Sequence, residues 1–409
     1  MDLEIRPITS EEAEAFSRAS SVAFGSAFDA ERFARGLALL DPARTLAVFD
    51  PAAGSLHAGI VGTAHSHAFD LSVPGADSPA AGVANVTVRP THRRRGLLTA
   101  LMRRQLDDLR DRGQALACLW ASEAPIYRRF GYGAATRGLR WLLDRPETAF
   151  TPGVDLGALE ARLTAPEDAR PALSDLHELT RATTPGMVRR NDAWWDRILG
   201  GSRGEALGVV VQGAAGRPEA AGLYTVSSSW GDARPSNTLS ANEVYALTPQ
   251  AYAAVWRYLL DVDLVRRVTA FHRPLDEPLQ WLLANPRALQ PALVEGLWAR
   301  LVDVGAALEA RRYSDEVRLV LDVTDRFCPW NEGCWLLEAG PGGARCERAP
   351  RSTADLRLDV ADLGASYLGL SVFGPLQRAG LVEEARPGAV LRADRAFAWN
   401  RAPWAVTFF

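Results

Sequence analysis

The strongest constraint on the fold of this chain is the stretch from Val86 to Leu98, with the sequence VTVRPTHRRRGLL. Alternating apolar residues end at Pro90, and three consecutive arginines then lead through Gly96 into an apolar-periodic segment. This order predicts a strand, a tight basic turn and a helix N-terminus. Helix N-termini bind phosphates through unpaired N–H groups, neighbouring arginines add bidentate donors, and a glycine allows close backbone approach. The stretch therefore predicts a pyrophosphate site; the alternative is a surface arginine cluster before an ordinary helix.

The composition indicates a globular protein and argues against nucleic-acid binding. Of the 409 residues, 47% are apolar and 23% are charged, and the length allows two to four domains. Lysine and arginine number 46 against 49 aspartate and glutamate residues, for a net charge of -3. Because a nucleic-acid-binding protein needs a basic domain, we expect no nucleic-acid partner.

The sequence also carries no recognisable signal for export, membrane insertion or metal binding. Its start has no apolar h-region and no run approaches about 18 apolar residues, so we expect neither a signal peptide nor a membrane span. The four cysteines form no CxxC pair, which favours reduced thiols and a cytoplasmic location. His65 and His67 share a strand face without a third ligand, so we expect them to face solvent or line a substrate pocket and expect no metal.

The first 150 residues show apolar patterns in the order βααβββαβαβ. The clearest element is a helix from Gly96 to Arg112, closed by Gly113. Its predicted apolar stripe consists of Leu97, Leu98, Leu101, Met102, Leu106 and Leu109. The other predicted elements are helices at 10–23, 30–40 and 126–130, and strands at 3–7, 45–49, 56–68, 82–88 and 115–121.

The rest of the chain divides into two further regions. Residues 144–164 carry several prolines and glycines and indicate a boundary. The middle region predicts helices at 166–180, 192–199 and 249–261, with strands at 207–212, 219–226, 241–246 and 264–270, and it has no arginine-rich turn of its own. The last region predicts helices at 303–311, 352–364 and 368–380 and a strand at 316–323. We predict three domains, at residues 1–150, 151–295 and 296–409.

Three segments of the chain carry a resemblance to known acetyltransferases. Val86–Leu98 resembles motif A of the GNAT N-acetyltransferases, whose pyrophosphate loop follows the pattern Gln/Arg-x-x-Gly-x-Gly/Ala, here with Leu98 at the last small position. With Ala121–Gly133, Leu297–Val304 and a terminal aromatic residue, the whole chain resembles the enhanced intracellular survival (Eis) family. The resemblance implies an α/β (α+β) fold of two tandem acetyltransferase (GNAT) domains, the second without a cofactor motif, and then a sterol-carrier-protein-like domain. It also implies a homo-oligomer, often a hexamer.

The same resemblance implies which residues hold the co-substrate, acetyl-CoA. Val86 and Val88 are expected to hydrogen-bond its pantetheine arm through their backbone groups. Its pyrophosphate is expected to lie among Arg93, Arg94, Arg95, Gly96 and Leu97, with Ser122 at the far side of the cleft. Tyr127 matches the general acid that protonates the leaving thiolate, a role that suits a phenol with a pKa of about 10. The alternative is that Tyr127 is a packed aromatic residue at a helix end.

The general base is not evident from the strand before the arginine turn, because residues 82–88 contain no acid. The Eis resemblance implies that the C-terminal carboxylate serves instead, here on Phe409. An α-carboxyl with a pKa of about 3.3–3.7 is a weak base in water, so its surroundings must make it useful. The alternative is an apolar chain end that packs as an edge strand.

The segments expected to line the acceptor pocket contain more aromatic residues than carboxylates. Phe24, Trp404 and Phe408 are the aromatic candidates, and Asp29 is the carboxylate to test, with Glu31 nearby. We predict an acetyl-CoA-dependent N-acetyltransferase that acts on a primary amine of a small molecule, with aminoglycosides as candidates, by direct attack in a ternary complex. The alternatives are a lipid-binding protein and an acyl-CoA-binding regulator without catalysis.

Overall fold

A computed structural model describes residues 3–200, 205–231 and 234–409. The elements before Arg137 are β1 (Glu4–Pro7), α1 (Ala13–Ala23), α2 (Ala30–Gly36), β2 (Thr45–Phe49), β3 (Ile60–Val73), β4 (Ala76–Val88), α3 (Leu97–Asp111), β5 (Leu116–Trp120), α4 (Ala124–Tyr127) and β6 (Gly133–Ala134). Short 3-10 helices at Leu37–Leu39 and Arg128–Phe130 directly follow α2 and α4, and a third, at Pro90–His92, lies four residues before α3.

The middle of the chain adds thirteen described elements. They are β7 (Arg137–Asp144), β8 (Glu160–Thr164), α5 (Pro166–Arg181), α6 (Asp192–Gly200), β9 (Ala206–Gln212), β10 (Pro218–Ser227), β11 (Trp230–Gly231), β12 (Arg234–Pro235), β13 (Asn237–Ala246), α7 (Pro249–Asp261), β14 (Val265–Arg273), α8 (Leu279–Leu282) and β15 (Ala292–Glu295).

The last part of the chain contains one strand of the first sheet and a smaller sheet with helices. Its elements are β16 (Leu297–Leu301), α9 (Val304–Glu309), β17 (Val317–Thr324), β18 (Gly333–Gly340), β19 (Gly343–Ala349), β20 (Leu356–Asp359), α10 (Val360–Ser366), α11 (Phe373–Arg378), β21 (Val382–Glu384) and α12 (Ala389–Phe397).

The chain forms two compact units, and their boundaries differ from the predicted ones. The first unit contains the chain up to Thr136 together with Gly296–Pro403 and Thr407–Phe409, and the second contains Arg137–Glu295 and Trp404–Val406. The predicted boundary at residue 150 falls later than Thr136 because β7 pairs with β14 and β15 of the second sheet.

The first unit is built on a seven-stranded sheet in the order β1-β2-β3-β4-β5-β16-β6. Strand β16 belongs to this first sheet, although most of the second unit precedes β16 in sequence. Strand β16 pairs antiparallel with β5, from Leu297↔Trp120 to Leu301↔Leu116. The same unit contains a second sheet, in the order β19-β18-β17-β20-β21. The first and last parts of the chain therefore share one unit.

Helix α3 shows why the predicted amphipathic segment folds as it does. It buries Leu97, Leu101, Met102, Leu106 and Leu109 at helical spacing, as predicted, while Leu98 is half-buried. At its end Gly113 has a φ of 68°, and the Gln114 N–H donates to the Leu109 carbonyl at 3.0 Å. A glycine just after a helix permits this C-terminal hydrogen bond, because glycine readily adopts a positive φ.

The second unit contains a sheet in the order β15-β7-β14-β13-β10-β9-β8, with α7 packed against β13 and β10. Trp141 and Trp256 lie in its core with ring centroids 5.0 Å apart. The predicted helix at 249–261 is confirmed as α7. The mixed α/β character predicted for this region is also present.

Two predicted elements differ from the structure for identifiable reasons. Residues 352–364 were predicted as one helix, but Leu356–Asp359 forms strand β20, which pairs with β17 on one side and β21 on the other. The strand ends at Asp359, whose carboxylate accepts from the Ala361 N–H and begins α10. Strand β3 starts at Ile60 rather than residue 56, because His57 and Ala58 have positive φ angles.

No helix among the described residues is long and apolar enough to cross a membrane.

Candidate active site

The candidate site begins where two parallel strands of the first sheet separate. Strands β4 and β5 are in register from Ala80↔Leu116 to Val83↔Leu119. Beyond Val83 this pairing stops, although β4 continues to Val88. The separation leaves one edge of β4 without a β5 partner and opens a gap into the sheet.

A bulge in β4 aims its backbone into this gap. Thr63 faces Thr87 while His65 faces Ala84, so β4 carries one extra residue, and Asn85 has a φ of 53°. The Arg89 N–H donates to the Val61 carbonyl at 2.8 Å, which turns Arg89 and, by alternation, Thr87 toward β3. The N–H and C=O groups of Val86 and Val88 therefore lie on the opposite edge, which faces the gap.

The arginine turn follows directly at the open end of β4. Arg94 and Gly96 have φ angles of 63° and 80°, and Gly96 is the N-cap of α3. The three arginines and Gly96 are exposed, while Leu97 is buried in the core. Within the described parts of the chain, none of the three guanidinium groups forms a salt bridge with a carboxylate. The turn thus combines three positive charges with a helix N-terminus.

A buried hydrogen bond between a histidine and an aspartate holds this turn in place. The His92 Nε2 lies 2.9 Å from Asp50 Oδ2, and both side chains are almost fully buried. The Asp50 Oδ1 accepts from the Ala52 N–H at 2.8 Å. The hydrogen bond from His92 holds the pKa of the Asp50 carboxyl below its usual value, so this carboxylate stays ionised near neutral pH. His92 is therefore an anchor of the turn, next to the arginines.

Tyr127 lies at the end of α4 and is 6% exposed. It belongs to the same apolar cluster as Val83 and Leu119, the residues at which the β4–β5 pairing ends. Burial, with a smaller effect from Glu123, raises the pKa of Tyr127 to about 12, above the ordinary value on which the general-acid prediction was based. Burial likewise raises the pKa of the Cys118 thiol on β5 to about 12. Burial of this kind raises the pKa of both a phenol and a thiol, because it disfavours their charged forms.

The residue after Tyr127 forms a salt bridge with helix α10. Arg128 donates through Nη1 and Nη2 to Asp362 Oδ1 and Oδ2 at 2.9 and 2.8 Å, and the Asp362 side chain is 1% exposed. A Cβ at Gly133 would collide with the backbone of Ala361. The last part of the chain therefore supports the position of Tyr127.

Replacing Arg128 by alanine is expected to destabilise the first unit. The change leaves the buried Asp362 carboxylate without its bidentate partner, which costs about 3–5 kcal/mol for a fully buried pair and roughly 1–3 kcal/mol here, because Arg128 is half exposed. Denaturant unfolding monitored by fluorescence measures the loss. Arg318→Ala is the control, since its pair with Glu338 is exposed on both sides. Equal losses in the two variants would contradict the assigned role of Arg128.

The last three residues of the chain lie along the same sheet. The Trp120 Nε1–H donates to the Thr407 carbonyl at 2.9 Å, and the Phe408 ring lies 5.3 Å from the Trp120 ring. The Phe409 ring lies 5.1 Å from that of Phe69 on β3. At Gly82, beside the end of the β4–β5 pairing, a Cβ would collide with Phe69 and come within 3.1 Å of Phe409. This glycine leaves room for the end of the chain next to the gap.

The predicted acceptor-binding residues differ in their surroundings. Phe24 and Phe408 are exposed, and Asp29 is an exposed N-cap of α2 that accepts from the Arg32 N–H at 2.9 Å. Ser122 is exposed in the turn before α4. Trp404 is 5% exposed in the second unit, 6.0 Å from the Tyr245 ring and 4.9 Å from the Arg273 guanidinium carbon. Trp404 therefore packs within the second unit, and the substrate role predicted for it stays a prediction.

Sequence reasoning missed two features of the site. The bulge at Asn85 has no glycine or proline to signal it, although asparagine tolerates positive φ better than most residues. His65 and His67 are 1% and 8% exposed, so burial excludes the solvent-facing alternative, while the other alternative, that they line a substrate pocket, stays a prediction. Over the ranges that the structure describes, no group of three or more His, Cys, Asp or Glu side chains is arranged to hold a metal ion.

Comparisons with known proteins agree with this geometry. Models of acetyltransferase (GNAT) domains match residues 4–135 and 186–302, and a model of a sterol carrier protein domain matches residues 304–406. The fold class predicted from the sequence is thereby confirmed.

Similar proteins show which family of acetyltransferases the chain belongs to. An uncharacterized N-acetyltransferase of Streptomyces avermitilis is 43% identical over 84% of this chain and 85% of its own length. The N-acetyltransferase Eis of Mycobacterium tuberculosis is 35% identical over 83% of each chain. The crystal structure of Eis1 from Mycobacterium abscessus matches with a TM-score of 0.83 and 33% identity, over 100% of both chains. The chain therefore belongs to the Eis family of GNAT N-acetyltransferases.

Proposed function

We propose that this N-acetyltransferase moves the acetyl group of acetyl-CoA directly to a primary amine of a small molecule, within a ternary complex. The observation that carries the proposal is the gap between β4 and β5, with the arginine turn at one end and Phe409 beside the other. Aminoglycosides are the acceptor class that we propose first. We also propose a homo-oligomer, in line with the expectation of a hexamer.

The proposed acetyl-CoA site follows β4 from its open end inward. The exposed arginines Arg93, Arg94 and Arg95, with the backbone at Gly96 and Leu97, would bind the pyrophosphate. The backbone groups of Val86 and Val88 would then pair with the amides of the pantetheine arm, as a neighbouring strand would. Ser122, in the turn after β5, would lie on the other side of the cofactor. The thioester would thus reach the region near Val83, where Tyr127 packs.

In the proposed reaction the amine nitrogen attacks the thioester carbonyl carbon. The new C–N bond forms, the C–S bond breaks, and Tyr127 gives its phenolic proton to the departing sulfur, while the extra proton on the new amide nitrogen returns to the Tyr127 phenolate. The terminal carboxylate of Phe409 would bind the acceptor ammonium and take its proton before attack. Bringing both reactants together in one site supplies much of the rate gain.

Steady-state kinetics test the direct transfer. With acetyl-CoA and one amine varied together, a ternary complex predicts intersecting double-reciprocal lines. Parallel lines would indicate a covalent acetyl-enzyme and would contradict the proposal.

Replacing Arg95 by alanine is expected to raise the KM for acetyl-CoA about tenfold, because a charge-assisted bond to phosphate is lost at an exposed site. The turnover number at saturating acetyl-CoA should change little, since the reacting atoms are elsewhere. Initial rates at varied acetyl-CoA measure both. Arg104→Ala is the matched control, because it removes the same charge from α3 at a residue paired with Asp108. An unchanged KM in Arg95→Ala would contradict the pyrophosphate assignment.

Replacing Asp29 by asparagine tests whether this residue attracts polycationic acceptors. Asparagine caps a helix as well as aspartate does, so α2 should keep its N-cap while the charge disappears. We expect the KM for an aminoglycoside to rise about threefold to tenfold, with no change for a monoamine, since a single exposed charge contributes about 1 kcal/mol. Equal effects on both acceptors would count against a charge role for Asp29.

A further inference from the structure

Asn85 is the residue at the bulge of β4, and the chemistry described so far gives its side chain no role. The pairing of β4 with β5 ends at Val83, two residues before Asn85. Val86, whose backbone we expect to pair with pantetheine, follows Asn85 directly. Because strand residues rise about 3.3 Å each, Asn85 lies within roughly 7 Å of Val83. Asn85 therefore stands next to the place where the thioester is expected.

Two buried threonine hydroxyls hold the bulge in this conformation. The Thr63 hydroxyl donates to the Asn85 carbonyl at 2.7 Å, so the Thr87 hydroxyl, 2.6 Å from that of Thr63, donates to Thr63. Thr63 is fully buried and Thr87 is 8% exposed. Asn85 itself has a φ of 53°, a left-handed conformation that asparagine adopts more readily than most residues. The backbone from which the Asn85 side chain projects is thus fixed from below.

The carboxamide of Asn85 has hydrogen-bond donors without partners. Its Oδ1 accepts from the Ser20 hydroxyl of α1 at 3.5 Å, and Ser20 is 5% exposed. The carboxamide nitrogen, Nδ2, carries two N–H donors. Within the residues that the structure describes, Nδ2 bonds to no protein group, and the Asn85 side chain is exposed. Ser20 therefore orients a carboxamide whose donors are open, between the apolar neighbours Ala84 and Val86.

The face of the sheet on which this carboxamide lies is the one that α1 covers, because its hydrogen-bond partner belongs to α1. Phe16 of α1 packs in one apolar cluster with Ala47 of β2, and Ala47 is paired with Thr63 of β3. Side chains alternate along β3, so Phe69, an even number of residues after Thr63, lies on this face too. Asn85 and Phe69 therefore share one face of the sheet.

The end of the chain reaches the same face. A Cβ at Gly82 would collide with Phe69 and come within 3.1 Å of the Phe409 ring, and the rings of Phe69 and Phe409 are 5.1 Å apart. Gly82 precedes Asn85 by three residues in β4. The pantetheine arm is expected along the edge of β4 that faces the gap, not on this face. The Asn85 side chain is thus placed toward the acceptor rather than toward the cofactor.

We propose that Asn85 selects the acceptor by donating a hydrogen bond from Nδ2 to an oxygen near the amine that is acetylated. The enzyme then prefers amines that carry a hydroxyl or ether oxygen close to the reacting nitrogen over hydrocarbon amines of the same size. A hydrocarbon in this position would take water away from the Nδ2 donors and give them no acceptor in return. The inference rests on the proposed function and adds a specificity-determining residue to it.

Acceptors of equal size test this preference. Cyclohexylamine is compared with the aminooxanes, in which one ring CH₂ group is replaced by an oxygen that only accepts hydrogen bonds. We expect the kcat/KM ratio of the better aminooxane to cyclohexylamine to be about fivefold to tenfold higher in the wild type than in Asn85→Gly. Comparing the two ratios cancels the intrinsic reactivity of the amines. The KM for acetyl-CoA should stay constant.

The substitutions are chosen to keep the bulge. Glycine adopts a positive φ without strain, so Asn85→Gly removes the carboxamide alone. Asn85→Asp is a second variant: aspartate also tolerates this φ, but its carboxylate accepts hydrogen bonds and donates none, so the preference for the aminooxane should again be lost. Gln290→Gly is the matched control, because Gln290 is an exposed carboxamide with a φ of 43° in the second unit. It should leave the ratio unchanged.

The outcomes distinguish this inference from the proposed function. Equal ratios in the wild type and Asn85→Gly would show that Asn85 does not contact an oxygen of the acceptor. A raised KM for acetyl-CoA with an unchanged ratio would place the side chain at the cofactor, and a preference that persists in Asn85→Asp would exclude Nδ2 as the donor. Each of these results would overturn the inference while amine acetylation stands. Failure of the wild-type enzyme on every amine would instead refute the proposed function, and the inference with it.

Discussion

Replacing Tyr127 by phenylalanine is expected to lower kcat by about 10²- to 10⁴-fold, the usual loss when a proton donor is removed. The phenol is buried, and its pKa of about 12 keeps it protonated throughout the neutral range, so it is ready to donate when the thiolate leaves. The dissociation constant for acetyl-CoA should stay nearly constant, because the ring that packs against the cluster around Val83 remains. Stopped-flow or steady-state thiol release and equilibrium CoA binding measure the two quantities.

Tyr132→Phe is the matched control for this prediction. The Tyr132 ring lies 6.1 Å from the Tyr127 ring and is fully buried, and its hydroxyl has no hydrogen-bond partner in the part of the chain that is described. Removing an unpaired buried hydroxyl costs little, so activity and stability should be close to those of the wild type. Normal turnover in Tyr127→Phe, or equal losses in both variants, would remove Tyr127 from the mechanism.

Adding three residues, Gly-Ser-Gly, after Phe409 is expected to lower kcat by about 100-fold, because the terminal carboxylate is carried away from the gap beside Gly82. The KM for acetyl-CoA should change little, since the arginine turn is untouched. Thiol release at saturating acetyl-CoA measures the effect. The ring contacts of Phe409 with Phe69 and His67 can persist in this variant, which makes the carboxylate the group under test.

Two further proteins complete this experiment. The same tripeptide placed before the first residue controls for added length and should leave kcat unchanged. Phe409→Leu keeps a terminal carboxylate and removes the ring, so it should retain much more activity than the extended chain. Wild-type rates in the extended chain would show that the carboxylate plays no part in proton transfer.

Much of the first unit was predictable because its signals are local. The alternation before Pro90, the arginines and the spacing of leucines after Gly96 each act within a few residues, and the structure has the predicted strand, turn and helix there. The Arg128–Asp362 pair and the entry of β16 into the first sheet could not be predicted in this way. They join residues far apart in sequence, and nothing local in either segment specifies its partner.

The differences between the predicted and observed structure also arise from contacts between residues that are far apart in sequence. Residues 356–359 resemble the start of the helix that follows them, yet two neighbouring strands make them a central strand. Trp404 was predicted to bind substrate from its place in an aromatic tail; contacts within the second unit bury it, and its substrate role stays a prediction. His65 and His67 alternate as they would on an exposed strand face, and only the elements that cover β3 show that both are buried.

Thiol release from acetyl-CoA, measured across a panel of amines that includes aminoglycosides, polyamines, arylamines and lysine peptides, tests whether this protein acetylates amines. We expect release that depends on the amine, with the mass of the acceptor increased by one acetyl group. No release with any amine, together with tight CoA binding, would contradict it and would favour a regulatory or lipid-binding protein.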